Sequence, residues 1–128
     1  LLPGGADLTY ELSGAPAALD HAIRITGFSG RVVVGSWYGS KRAGLDLGGR
    51  FHRSRIRLVS SQVSSISPEL SGRWDKPRRF SLSWEMIAQT NPARWITHRY
   101  PIERALDAYR LLDGSPHEAI QVLFTYPH

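Results

Sequence analysis

The stretch that most constrains this chain is Gly30 to Gly39, GRVVVGSWYG. Three consecutive β-branched apolar residues, Val32 to Val34, stand between glycines. A strand that is apolar at every position is buried on both faces, as in a parallel sheet. What precedes it fits that reading. Ala6 to Leu12 (ADLTYEL) is rich in β formers and is closed by Ser13-Gly14, which predicts a first strand. Pro16 suits a first helical position. Leu19, Ala22, Ile23 and Thr26 follow at helical spacing, and Gly27 is the expected stop. Strand, helix and strand in this order make a βαβ unit with a right-handed crossover.

Downstream, Leu45, Leu47 and Phe51 predict a short helix weakened by Gly48 and Gly49. Ile56 to Ser61 (IRLVSS) predicts a third strand. Arg57 interrupts its apolar pattern, so an edge position is expected. Ser64 to Gly72 is a Ser-rich connection. Asp75 and Pro77 open a helix with an apolar side of Phe80, Trp84 and Ile87, and Asn91-Pro92 ends it. Trp95 to His98 is a brief extended stretch. Pro101 opens another helix, whose expected apolar face is Ile102, Ala105, Leu106, Tyr109 and Leu112. Ala119 to Phe124 is the last expected strand.

The chain has 128 residues and is 41% hydrophobic, room for a modest core. No run approaches the roughly 18 apolar residues of a membrane span. With no cysteine, the chain has neither disulfides nor thiolate metal ligands, which fits a cytoplasmic setting. Its net charge of +5 suits a phosphorylated cofactor or a nucleic acid, or is simply a basic surface. It begins at Leu1, and its one methionine is Met86, so a piece of a larger protein is expected.

In open α/β sheets, ligands bind beyond the carboxyl ends of the strands. Three such ends are legible: Ser13-Gly14, Gly35-Ser36 and Ser60-Ser61-Gln62. Each is small and polar, which lets a ligand approach the backbone; plain turns would have the same composition. No G-x-G-x-x-G and no G-x-x-x-x-G-K-[ST] occurs, so a phosphate cradle is absent from this sequence. The five histidines are scattered without metal-ligand spacing. His98 reads as a structural histidine. Asp7 and Glu11 have no obvious partner. Lys41, Arg42, Arg50, Arg53, Arg55 and Arg57 face Asp46 alone, interleaved with Trp37, Tyr38 and Phe51. That run could track a nucleic-acid backbone, but a solvated surface with one or two cofactor-phosphate contacts is the expectation.

Residues 4–35, GGADLTYELSGAPAALDHAIRITGFSGRVVVG, resemble the second half of the cofactor domain of medium-chain dehydrogenases, the zinc-type alcohol dehydrogenase superfamily. IRLVSSQ is similar to that family's sixth strand. ITHRYPIERALDAYRLLDG is similar to its closing segment, and the last strand to its terminal strand. The resemblance covers nearly the whole chain.

It implies an α/β fold: the second half of a Rossmann-like parallel sheet (strands 4 to 6), then C-terminal helices and a return strand. Residues 1–66 would be the half domain, and residues 67–128 the helical connection and return segment. The cofactor implied is NAD or NADP, with zinc held only by the absent part of the parent. Ser13 and Gly14 would lie near the adenosine ribose. Gly35, Ser36 and Trp37 would approach the nicotinamide ribose. Ser60, Ser61 and Gln62 would bond the carboxamide through backbone groups. Where the family often has a basic residue reaching the pyrophosphate, this chain has Pro116-His117-Glu118. The implied chemistry is hydride transfer between an alcohol or carbonyl substrate and nicotinamide, by the parent and not by this chain alone. A homodimer through Ile56–Ser61 is also implied. The exposed sheet edge predicts weak stability, aggregation or strand-mediated dimers. The alternative is a small stand-alone basic module that binds an anionic partner such as RNA.

Overall fold

The computed structural model describes residues 4–127. The chain divides into two compact units at Leu70–Ser71.

The first unit is a three-stranded parallel sheet in the order β1-β2-β3, formed by β1 (Ala6–Glu11), β2 (Thr26–Val34) and β3 (Arg57–Ser60). Glu11 pairs with Val34, and Val34 with Ser60, so all three strands end level. Helix α1 (Pro16–Ile25) makes the crossover. Its residues Leu19, Ala22 and Ile23 recur at helical spacing and are buried with Val32 and Ile56. Burying one such aliphatic side chain contributes about 1.5–3 kcal/mol. The loop after β2 folds back over the same face, where Tyr38, Ala43, Leu45 and Phe51 pack on this cluster. The helix expected around Leu45 to Phe51 is only a turn, Leu47–Phe51, because Gly49 leaves helical geometry.

β2 begins at Thr26, well before the expected Val32, and takes in Gly30 and Arg31, which read as the turn into the strand. The register jumps from Ala6–Thr26 to Leu8–Arg31, so extra residues bulge out of β2. Gly30 fits this bulge because a Cβ there would lie 2.6 Å from the Thr26 methyl and 2.9 Å from the Ala6 carbonyl oxygen. Thr26 is fully buried. Its hydroxyl donates to the Ala22 carbonyl at 2.7 Å and accepts from the Thr9 hydroxyl at 2.7 Å. The Arg50 guanidinium donates to the Thr26 carbonyl at 2.8 Å, so this member of the basic run is structural.

β3 is an edge strand, as Arg57 suggested, and β1 is the other edge. Residues paired in a parallel ladder share a face, and neighbours along a strand alternate. Thr9, Val32 and Leu58 thus face α1. Tyr10, Val33 and Val59 point to the opposite face, together with Leu8. That second face is open: Tyr10 is 62% and Val59 41% exposed.

In the second unit, α2 (Lys76–Thr90) starts where Asp75 accepts from the Arg78 amide at 2.8 Å. It stops at Asn91, which adopts the left-handed conformation before Pro92. Phe80, Trp84 and Ile87 remain exposed, so the expected apolar side is uncovered. A short turn leads into β4 (Ile96–Pro101), longer than expected at its carboxyl end. Ile102–Arg104 is a separate tight turn, and α3 (Ala105–Gly114) follows it. The residue of α3 that is buried is Ala108, while Leu106 and Tyr109 are exposed. The packed face is therefore rotated from the expected one, although the Tyr109 ring still meets Phe124 at 6.5 Å. β5 (Gln121–Thr125) pairs in parallel with β4. The His98 ring stacks on Tyr100, and its Nδ1 lies 3.0 Å from the Thr97 hydroxyl, in keeping with a structural histidine. No described helix is long and apolar enough to cross a membrane.

Candidate functional site at the strand ends

The level carboxyl ends of β1 and β2 meet around one carboxylate. Glu11 is 3% exposed. Its Oε1 accepts from the Ser13 amide at 2.7 Å, the Ser13 hydroxyl at 2.6 Å and the Gly14 amide at 3.2 Å. Its Oε2 accepts from the Ser36 hydroxyl and, at 2.6 Å, from the Tyr38 hydroxyl. The Gly35 amide donates to the Glu11 carbonyl at 3.0 Å and extends the ladder.

Two effects act on the Glu11 carboxyl. Burial pushes its pKa up, and hydrogen bonds from Ser13, Ser36 and Tyr38 pull it down. The hydrogen bonds win, and the pKa falls from 4.5 to about 2. Tyr38 is pushed above its ordinary value by burial and by the adjacent Glu11 charge. Near neutral pH the pair is a carboxylate and a phenol. With five donors on two oxygens, Glu11 is an anchor and not a general base.

Gly14 holds the next layer. Its φ is +66°, and a Cβ there would stand 2.9 Å from the Trp37 carbonyl oxygen. Its own carbonyl accepts from the Lys41 ammonium at 3.2 Å. Trp37, between the two anchored residues Ser36 and Tyr38, is 88% exposed.

Of the residues singled out in the sequence, Ser13, Gly14, Gly35, Ser36 and Trp37 come together here. Ser60, Ser61 and Gln62 lie at the level end of β3. The Ser61 amide donates to the Val34 carbonyl at 2.8 Å, so it continues the ladder, and the Gln62 side chain accepts from the Ser64 amide. Glu11 and Tyr38 escaped the sequence reading, which found Glu11 without a partner. The available signal was a charged residue in phase with the inward Thr9, followed by Ser-Gly.

The Ser13, Ser36 and Tyr38 hydroxyls and the Ser13, Gly14 and Gly35 amides are committed to Glu11, so what this rim presents outward is the exposed Trp37 and the remaining donors of the Lys41 ammonium. The described residues include no group of three His, Asp or Glu side chains that could hold a metal. A cleft of 410 Å³ in the second unit is lined by Pro92, Trp95, Ile96, Ile120 and Leu123, with Gln121 as the polar side chain of its lining.

No family model matches the sequence, and neither does any curated protein. Solved structures do match. An alcohol dehydrogenase from Thermotoga maritima superposes with a TM-score of 0.73 at 19% identity, over 97% of this chain and 31% of its own. L-idonate 5-dehydrogenase from Escherichia coli K-12 gives 0.66 at 22% identity, over 95% and 32%. A short-chain alcohol dehydrogenase from E. coli CFT073, solved with NADH, gives 0.68 at 15% identity, over 92% and 32%. The fold is shared with these structures: a parallel α/β arrangement of the Rossmann-like kind. The chain spans about a third of the length of these structures.

Proposed function

We propose that this chain is the C-terminal portion of an NAD(P)-dependent, zinc-type alcohol dehydrogenase-like oxidoreductase, inactive by itself. One observation carries the reading. Three parallel strands end level in a braced polar rim, yet only the α1 face of their sheet is covered. Parallel sheets are stable when layered on both faces. Leu8, Tyr10 and Val59 supply an apolar patch on the second face beside Arg31 and Arg57, and a groove of 210 Å³ runs beside the β1 edge against α1. Both features suit further strands and helices from the rest of such an enzyme, and the solved dehydrogenases of similar fold support this.

In this reading Ser13 and Gly14 approach the adenosine ribose. Gly35, Ser36 and Trp37 approach the nicotinamide ribose, and Ser60 to Gln62 the carboxamide. The Ser61 amide is committed to Val34, which leaves that last contact to the carbonyls and side chains. The cofactor supplies hydride transfer with an alcohol or carbonyl substrate. This chain's part is positioning: Glu11 fixes two of the three loops as one surface. The metal ligands of the parent lie on other segments. The free outer edge of β3 supports a homodimer through Ile56–Ser61.

The test is to sequence the source DNA upstream of the Leu1 codon and express the extended frame. The expected frame encodes a strand with G-x-G-x-x-G, and its product reduces NAD or NADP with alcohols. A product without dehydrogenase activity overturns the reading. One observation favours the alternative of a basic binding module. Arg31 and Arg57 are paired neighbours on the open face, and neither meets a carboxylate among the described residues. Strongly salt-dependent RNA binding by this chain would establish it.

A further inference from the structure

We propose that Trp37 and Lys41, both placed by Gly14, form a composite contact for the nicotinamide mononucleotide half of the cofactor. The indole stacks on its planar ring and the ammonium pairs with its phosphate. This rests on the reading that the strand ends face a nicotinamide nucleotide.

Two facts converge on Gly14, and a third closes the turn beside it. Its positive φ and missing Cβ let the Trp37 carbonyl pack against it. Its carbonyl holds the Lys41 ammonium at 3.2 Å. The Lys41 amide donates to the Tyr38 carbonyl at 3.1 Å, which closes the turn that carries both side chains. That turn is not a loose loop, since Ser36 and Tyr38 are both bonded to the buried Glu11. The fold thus holds the backbone of Trp37, yet the residue is 88% exposed. A large aromatic fixed at its base and open on its faces is a stacking platform. Lys41 has three donors, of which one is used, and no carboxylate within 4.0 Å among the described residues. Its charge is available to an anion, and the segment Gly35–Arg42 contains no acidic residue to compete. A ligand that satisfies both side chains is planar at one end and anionic nearby, which describes a mononucleotide.

The experiment is a ¹H–¹⁵N NMR titration of the full chain with nicotinamide mononucleotide, the Trp37 indole signal being assigned from Trp37→Phe. Nicotinamide riboside and inorganic phosphate are the controls. The Trp37 indole and the Gly35, Ser36 and Lys41 amides are expected to shift with one dissociation constant. Trp37→Ala weakens the mononucleotide about fivefold or more, the scale of lost base stacking. Lys41→Gln weakens the mononucleotide about threefold, the scale of an exposed ion pair, and leaves the riboside unchanged. Both variants are at exposed positions, and unmoved core amides verify that they fold. If the Gly35, Ser36 and Lys41 amides move while the indole does not, the stacking contact is overturned and the cofactor reading stands. If Lys41→Gln weakens riboside and mononucleotide alike, the phosphate contact is overturned. If no signal moves, the inference and the cofactor reading at these loops fall together.

Discussion

The Glu11 carboxylate and the Tyr38 hydroxyl stand 2.6 Å apart, although 27 positions separate them in the chain. This bond and those from Ser13 and Ser36 join the loops after two neighbouring strands. Removing one side of a buried charged hydrogen bond leaves its partners unsatisfied, at about 1–3 kcal/mol. Glu11→Gln is expected to lose that much, read as a lower urea midpoint with an unchanged slope. Tyr38→Phe should lose about 1 kcal/mol, because Ser36 still serves Oε2. The double variant should lose less than the sum, as members of one network do.

Acid should release the same anchor. The Glu11 pKa is about 2 when folded against 4.5 ordinarily, so between these values the unfolded chain binds more protons. The contribution of Glu11 is therefore complete above pH 4.5 and is lost as pH falls toward 2. Urea midpoints measured from pH 6 to pH 3 should fall, and more steeply than in Glu11→Gln.

Tyr38 gives the opposite limb. Its folded pKa is raised above 10.0 because burial and Glu11 both disfavour the phenolate. Its contribution is complete below pH 10 and is lost as pH rises through the raised value. Tyr38→Phe should flatten the stability profile above pH 10, as read by urea midpoints between pH 8 and pH 11.

Much of the architecture was legible because punctuation residues sit at the true element ends. Asp75 caps α2, Asn91-Pro92 ends it, and Pro16 opens α1. The positions of the three strand ends also followed from Ser and Gly placement, though not the register that makes them level. The Glu11 network was not legible, since its partners depend on the register Glu11–Val34, which brings Ser36 and Tyr38 back over β1. Local sequence carries no register. The start of β2 was missed for a related reason, because the bulge after Thr26 is set by backbone approach to β1. The face of α3 was misjudged because small Ala108, and not a large residue, makes its close contact.

Gly14→Ala isolates the role of backbone shape. A non-glycine residue at φ +66° costs about 1–2 kcal/mol, and its Cβ would lie 2.9 Å from the Trp37 carbonyl oxygen. The variant is expected to melt lower and to move the Trp37 indole signal without any change in charge. A Gly14→Ala spectrum with that signal in place would show that Gly14 does not set the turn.

The open face of the first sheet predicts self-association. Tyr10 and Val59 are exposed on the face opposite α1, and the outer edges of β1 and β3 have no strand partner within the sheet. Exposed apolar surface beside a free strand edge is a template for pairing with another copy. Sedimentation velocity should therefore show association that increases with protein concentration. A lysine on the open face blunts such pairing, because its charge would have to be buried in the new contact. Tyr10→Lys should lower the associated fraction with little loss of stability, since Tyr10 is already 62% exposed. Lys76→Glu, on the first turn of α2, serves as the charge control and should not lower it. Association that is unchanged in Tyr10→Lys would place the contact elsewhere on the chain.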